Sequence, residues 1–505
     1  MKSTYSTLIV SLDGHGTLVD QLVRALRGEI EKAHVGARLP PTRSLAQDLG
    51  VSRNTVITAY GELDNEGLIT TRFGAGSFVS RLTSVRPVRK RADAAADETR
   101  IEAVAKRPRL SRAGQRLENL DPSPILERAE LEFDFRYGLP IVGAFPFNTW
   151  SRIVARRAMM SATSMLGYGE AAGYQPLRTE LAEYLRRARG VVCDADQIII
   201  TNGSQQALDL IARVLVNPGD RVILEEPAYE GAREVFQVSG ARIDAVPVDK
   251  HGLQVDRLPG GSTPCRIVYV TPSHQFPTGA VLSADRRRKL LKWAQRQGCF
   301  VIEDDYDGEL RYDIRPLEAI KAAEPQEQVI YIGTMSKVLF PSLRLGYLVS
   351  PLQLVKALVA AKHVTDRQTA FLLQTSLSDF MAQGHFNRHL LRAKRLCAHR
   401  RRALLEAIDQ HLGPKVSVTG ANAGIHVMMS FNARSTDDVE RVIARSADVG
   451  VGIYPIAPYY LHAPRRAGLL LGYASMEADM IREGIKRLAA VIESVKSSGL
   501  SPEPV

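Results

Sequence analysis

The sequence predicts an α/β chain in two parts: a small helical module closed by a hairpin, and a large domain built on a mainly parallel sheet, joined by a basic linker. Three observations predict it. The chain is 505 residues long, several times the usual 100–200 of one domain. Apolar residues recur at helical spacing before residue 80, whereas beyond residue 130 short strand-like apolar runs alternate with helical patterns. Between the parts charge concentrates: residues 81–116 hold eleven basic and four acidic side chains, +7 of the net +11. The expected boundaries are 1–84, 85–128 and 129–505.

Composition narrows the class further. With 45% hydrophobic and 24% charged residues this is an ordinary globular chain, and no window holds the roughly 18 uncharged apolar residues of a membrane span. The apolar patch at Thr7, Leu8, Ile9 and Val10 is too short for a secretory core. Cys193, Cys265, Cys299 and Cys397 are too far apart to suggest a zinc site or a small disulfide framework. They read as buried thiols of a cytoplasmic protein, with no metal expected.

In the first module Leu18, Val19, Leu22, Val23, Leu26 and Ile30 mark one amphipathic helix, stopped by Gly36 and Pro40. Thr42 is expected to cap a short helix through Leu49, Gly50 to turn, and Ser52 to cap a second helix with Val56, Ala59, Tyr60 and Leu63 inward. Two short strands, 68–72 and 77–80, around Phe73-Gly74-Ala75-Gly76 complete a winged helix-turn-helix. Arg53, Asn54, Thr55 and Thr58 then lie on the outward face, and Arg and Asn are the side chains that bond guanine and adenine edges bidentately. A net-neutral module of this shape also suits protein binding. The runs Leu39-Pro40-Pro41-Thr42-Arg43-Ser44-Leu45-Ala46, Gly50-Val51-Ser52-Arg53-Asn54-Thr55-Val56 and Gly74-Ala75-Gly76-Ser77-Phe78-Val79 resemble the DNA-binding domain of GntR-type bacterial regulators. The resemblance implies operator duplex DNA as partner, contacted by Arg43, Ser52, Arg53, Asn54 and Thr55, with Gly74 at the wing tip.

The stretch Arg86-Pro87-Val88-Arg89-Lys90-Arg91 through Lys106-Arg107-Pro108-Arg109 has few large apolar residues and no helical period. It reads as a flexible linker, either a solvated tether or a polyanion-binding arm.

In the large domain the strand-like runs are 197–201, 222–224, 266–270, 300–303, 329–332 and 346–349. Parallel sheets of this kind bind ligands beyond the carboxyl ends of strands. After the first run, Gly203, Ser204 and Gln205 open a helix that could hold an anion. Asp304-Asp305-Tyr306 follows the fourth run, and Gly333-Thr334-Met335-Ser336-Lys337 with Pro341-Ser342-Leu343-Arg344 follows the fifth. Singly these suit caps and a surface lysine; together they supply an imine-forming amine, a carboxylate, a phosphate cup and an aromatic ring.

The set resembles the fold-type I aminotransferases over residues 130–495. That resemblance implies pyridoxal phosphate as cofactor, with Lys337 carrying its Schiff base, Asp304 pairing the ring nitrogen, Tyr306 bonding the ring oxygen and Tyr229 stacking on the ring. Gly203, Ser204, Gln205, Thr334, Ser336 and Arg344 would hold the phosphate, joined by Tyr168 from the second subunit of a homodimer. A GntR-type head fused to such a domain is similar to the MocR-type regulators, whose run Thr271-Pro272-Ser273-His274-Gln275-Phe276-Pro277 resembles. The resemblance implies a regulator whose effector is pyridoxal phosphate or its adduct with an amine, controlling vitamin B6 or amino-compound metabolism; the alternative is a working aminotransferase with a DNA-binding head.

Two departures separate the chain from the enzymes. Phe276-Pro277-Thr278-Gly279 stands where the enzymes read Asn-Pro-Thr-Gly, leaving His274 or Gln275 to replace the lost donor. Leu470, before Leu471-Gly472-Tyr473-Ala474, occupies the place of the arginine that clamps a substrate's α-carboxylate. Catalytic turnover is therefore not expected.

Overall fold

A computed structural model describes residues 10–72, 75–80, 109–120, 131–160, 167–260, 264–312, 317–462 and 467–495. The chain divides into two compact units, Met1–Arg107 and Pro108–Val505.

The first unit has helix α1 (Leu18–Lys32), α2 (Thr42–Leu49), α3 (Arg53–Asn65) and an antiparallel hairpin of β1 (Ile69–Arg72) with β2 (Gly76–Val79). Thr17 caps α1 reciprocally with Asp20. Leu22, Leu26, Val56, Ala59 and Leu63 close the core between α1 and α3, and the Tyr60 hydroxyl donates to the Pro40 carbonyl at 2.9 Å. Gly50 takes the left-handed backbone (φ 66°) that the tight turn after α2 needs. Thr42 is not the cap expected of it: α2 begins at Thr42, with Pro41 as N-cap and its carbonyl accepting from the Leu45 N–H. Pro41 has no side-chain acceptor, so α2 starts without a side-chain cap.

Residues 81–108 and 121–130, most of the expected linker, lie outside the described residues. Within 85–128, however, α4 (Arg112–Glu118) forms, capped by Ser111, and Arg116 donates from Nε to the Val238 carbonyl at 2.7 Å. That part of the expected tether is docked on the second unit.

The second unit is built on an eight-stranded sheet. Its strands are β4 (Ile198–Thr201), β5 (Arg221–Glu226), β6 (Arg242–Asp249), β7 (Gly252–Leu253), β8 (Cys265–Val270), β9 (Phe300–Asp305), β10 (Val329–Thr334) and β11 (Gly346–Val349), in the order β4-β11-β10-β9-β8-β5-β6-β7. β11 runs antiparallel to both neighbours and β7 antiparallel to β6; the remaining pairs are parallel. β4 and the parallel strands β10, β9, β8 and β5 therefore end on one edge, where their loops gather. Helices Ser204–Leu215 and Leu352–Asp366 cover one face through Leu208, Ile211 and Leu358, and Ala284–Gln297 contributes Leu290 and Trp293 to a separate core with Val268 and Val301.

A smaller antiparallel sheet, β12 (Val416–Thr419), β13 (His426–Phe431), β16 (Gly468–Gly472) and β15 (Tyr454–Pro455), packs with helices His385–His411 and Ala478–Ser494. The short strand β3 (Phe133–Asp134) pairs in parallel with β14 (Val451–Gly452) beside it. Among the described residues no helix is long and apolar enough to cross a membrane and no group of side chains could hold a metal ion. Cys193 is partly buried against the core rather than fully buried, against the expectation of four buried thiols.

Candidate functional site

Lys337 follows the end of β10, with the Leu339 N–H bonded to the Met335 carbonyl holding the turn. Its Nζ donates to the Gly138 carbonyl at 3.0 Å. Gly138 has φ +83°, and a Cβ there would stand 2.7 Å from Nζ, so only glycine lets the amine settle on this backbone. Burial lowers the lysine's pKa, opposed by Asp307 and Asp304. Asp304 is the last residue but one of β9; its Oδ2 accepts from the Tyr269 hydroxyl at 2.9 Å, while Oδ1 is buried without a partner. Burial pushes this carboxyl up to about 7, the Tyr269 hydroxyl opposing and Asp305 and Asp307 reinforcing the rise. An orphaned carboxylate oxygen beside a buried amine fits a ring that brings its own N–H, as pyridoxal phosphate does.

The loops after β10 and β4 form a candidate anion cup. Gly346 pairs with Thr334 on one side and Thr201 on the other, which sets Arg344 between the loops that follow β10 and β4. Arg344 donates to the Asn202 carbonyl at 2.9 Å, and a Cβ on Gly203 would meet its guanidinium at 3.0 Å. Ser204 and Gln205 open the helix whose first amides face this point. Gln205 uses its side chain elsewhere, donating to the Gly231 carbonyl at 2.9 Å and accepting from the Tyr229 hydroxyl at 3.3 Å. Thr334 Oγ1 accepts from the Ser336 N–H. The cup is braced by Asp366, whose Oδ2 accepts from Asn202 and Gln206 at 2.8 Å each and which pairs with the fully buried Lys362.

Tyr306 is tied to a pair that the residues alone did not connect. Nδ1 of His274 lies 3.0 Å from the Tyr306 hydroxyl and 2.8 Å from Oδ2 of Asp307, and Nε2 lies 3.3 Å from the Gly420 carbonyl. The Gln275 amide donates to the Pro227 and Phe276 carbonyls at 2.7 and 2.6 Å. Both replacements offered for the missing asparagine are thus engaged within the protein, His274 with Tyr306 and Asp307. Leu470, 0% exposed, pairs with Met428 and Tyr454 and packs with Phe276, Ile456 and Tyr459. Arg233, the nearest arginine beyond Tyr229, donates to the carbonyls of Pro458 and Tyr460. Tyr168 is 88% exposed, with the Arg367 guanidinium 6.0 Å from its ring.

In the first unit Ser52 caps α3, its Oγ accepting from the Thr55 N–H at 3.1 Å and lying 2.8 Å from Thr55 Oγ1. Arg53 and Asn54 are exposed on the first turn and Arg43 on α2, while the Thr58 hydroxyl turns back to the Asn54 carbonyl. Gly74 lies outside the described residues. Sequence reasoning missed Gly138, Tyr269, Asp307 and Asp366; of these only the Lys362/Asp366 spacing of four on a helix carried a signal.

This fold and site define an aminotransferase-type domain carried behind a winged helix-turn-helix. Residues 18–79 match the family described as bacterial regulatory proteins of the gntR family, and residues 142–488 match aminotransferase class I and II. The chain is 36% identical to the probable rhizopine catabolism regulatory protein MocR of Rhizobium meliloti over 98% of both chains. It is 30% identical to the pyridoxine biosynthesis regulator PdxR of Corynebacterium glutamicum over 88% of this chain and 89% of that one. The kynurenine aminotransferase of Pyrococcus horikoshii, solved with PMP, shares 31% identity at a TM-score of 0.68, covering 79% of this chain and 98% of its own. The chain belongs to the MocR-type regulators, in which a GntR head is fused to an aminotransferase class I and II domain.

Proposed function

We propose that this protein is a pyridoxal phosphate-responsive transcriptional regulator, its effector being the cofactor or a cofactor–amine adduct and its targets vitamin B6 or amino-compound metabolism. The observation that carries the reading is a cofactor site with its amine and carboxylate intact but with buried Leu470 at the clamp position, in a chain whose head exposes Arg53 and Asn54. The likeness to MocR and PdxR supports it.

Pyridoxal phosphate, when bound, supplies an electrophilic carbon conjugated to a protonatable ring. Lys337 would hold that carbon through Nζ, and burial lowers the amine's pKa, a shift toward its nucleophilic form that Asp307 and Asp304 oppose. Oδ1 of Asp304 would accept the ring N–H, Tyr229 would cover the ring and Tyr306 would bond its oxygen. The amides opened by Gly203, Ser204 and Gln205, with Thr334, Ser336 and Arg344, would hold the phosphate, completed by Tyr168 of a second copy in a homodimer. In the head, Arg53 and Asn54 would read base edges in the cytoplasmic operator, with Arg43, Ser52, Thr55 and Gly74 on the backbone.

A transaminase must hold the α-carboxylate so that the Cα–H bond stands across the ring. Leu470 cannot pair that charge and Arg233 is already bonded to carbonyls, so the site senses rather than turns over. The second reading, a working aminotransferase, draws on the same Lys337 and Asp304. Steady-state assays with amino donors and pyruvate or 2-oxoglutarate decide between them. Background rates, together with a cofactor-dependent change in operator affinity, are expected; sustained multiple turnover with any common pair overturns the regulator reading.

A further inference from the structure

We propose that the amine this site receives carries no α-carboxylate: it is a primary amine with an uncharged, apolar substituent, lodged against Leu470 in a box formed by Tyr137, Phe276, Met428 and Tyr459. The inference rests on the cofactor reading above and names the chemical class of its effector.

The box begins one residue from the reacting amine. Tyr137 directly precedes Gly138, whose carbonyl holds Lys337 Nζ. The Tyr137 ring stands 5.8 Å from both Phe276 and Tyr459, and Phe276 stands 5.1 Å from Tyr459 at an interplanar angle of 86°. Met428 and Leu470 face each other across paired strands and finish the wall. Aromatic edges and a thioether adapt to apolar groups of varied shape.

Among the described residues, three arginines near the site already have partners. Arg136 bonds Asp134 at 3.1 Å and the Tyr454 hydroxyl at 3.2 Å, Arg233 bonds the Pro458 and Tyr460 carbonyls, and Arg344 bonds the Asn202 carbonyl. An α-carboxylate is fixed to the same carbon as the reacting nitrogen, so it would enter this apolar wall unpaired. A neighbouring cavity of about 1000 Å³ shares Met428 with the box, but it is lined by Glu226, Asp249, Lys250, Arg257 and Arg311 as well as Pro227, Gly279 and Tyr460, so the apolar wall is the box and not this cavity. The exchange balances without a redox partner. The incoming nitrogen replaces Nζ of Lys337 on the cofactor's aldehyde carbon, one carbon–nitrogen linkage formed for each broken, and Lys337 leaves as the free amine.

The test uses the full-length protein loaded with pyridoxal phosphate and titrates its visible absorption band with matched pairs: 2-phenylethylamine against phenylalanine, isobutylamine against valine, 3-methylbutylamine against leucine. The amines are expected to shift the band with dissociation constants at least about a hundredfold below those of the parent amino acids. Equal or tighter binding of the amino acids overturns the proposal. So does a stable band that neither member of any pair shifts, while that band still upholds the cofactor reading. Absence of any band on loading overturns the cofactor reading itself and the proposal with it. Leu470→Arg should erase the preference; a folded variant that keeps it removes Leu470 from the argument. If that variant precipitates, the wild-type pairs decide alone.

Discussion

The hydroxyl of Tyr269 donates to Oδ2 of Asp304 at 2.9 Å, and Oδ1 of the same carboxyl is buried with no hydrogen-bond partner. Half the carboxyl is fixed by the protein and half is left for something else. Without that something, holding a charge here is unfavourable.

The first prediction follows from that imbalance. Burial pushes Asp304 up to about 7, with Tyr269 and Lys337 opposing and Asp305 and Asp307 adding to the rise. Between about pH 4 and 7 the cofactor-free native state therefore keeps a proton that the unfolded chain releases, so this group's contribution to stability falls as pH rises and levels off above 7. Asp304→Asn stays neutral throughout. Its advantage over the wild type should open from about pH 4 and grow by about 2–3 kcal/mol between pH 5 and pH 8, read from urea unfolding of the cofactor-free protein. Glu225, also pushed up to about 7, chiefly by burial, is present in both proteins and differs between them only by the push it receives from the Asp304 charge. An advantage of the same size at both pH values would assign the effect to packing.

Lys337 and its seat make a paired prediction. Lys337→Ala should abolish the visible band of the loaded protein and any borohydride-fixed covalent cofactor. Gly138→Ala places a methyl within 2.7 Å of Nζ on a backbone at φ +83°, and should weaken cofactor affinity by about tenfold or more while the far-ultraviolet dichroism is unchanged. Normal loading of Gly138→Ala would mean that the lysine does not need this seat.

For the head, Arg53→Ala should cost about 1–3 kcal/mol of operator affinity and relax preference at one base position, whereas Arg43→Ala should weaken all duplexes alike and flatten the salt dependence. Competition binding with operator and scrambled DNA over a salt series separates the two. Uniform losses in both variants would place the base-reading residues elsewhere on α3.

The parallel core was legible because both faces of its strands are covered: Ile198, Val268, Val301 and Ile330 form runs that need no amphipathic period. Strand ends were less legible. β9 runs to Asp305 and β10 to Thr334, since a polar residue at a buried strand end looks in sequence like the start of a loop. Lys337, Asp304 and Arg344 stood out because amines, carboxylates and guanidinia cluster at those ends. The supports of those groups did not, because Gly138, Tyr269 and His274 reach the site from segments 32 to 199 residues away and are joined to it only by the sheet order. The helix at Arg112–Glu118 was hidden for another reason: it has no buried residue to set a period, only the Ser111 cap.

The last prediction concerns the brace beneath the anion cup. Asp366 accepts from Asn202 and Gln206 and pairs with Lys362, which is 0% exposed and whose pKa is lowered by burial against the pull of Asp366. Asp366→Ala removes three supports and leaves a buried amine unpaired. Cutting one partner from a buried pair costs about 3–5 kcal/mol, so a large fall in unfolding midpoint is expected, with weaker cofactor binding because the loop carrying Asn202 and Gly203 loosens. Lys362→Met with Asp366→Ala replaces the unpaired charge by an apolar side chain of similar length and should recover much of the stability. It should not recover the affinity, since Asn202 and Gln206 still lack their acceptor. Calorimetric unfolding and cofactor titration on both variants therefore separate the two roles of Asp366. Recovery of affinity along with stability would show that the brace serves the fold alone and leaves the cup in place.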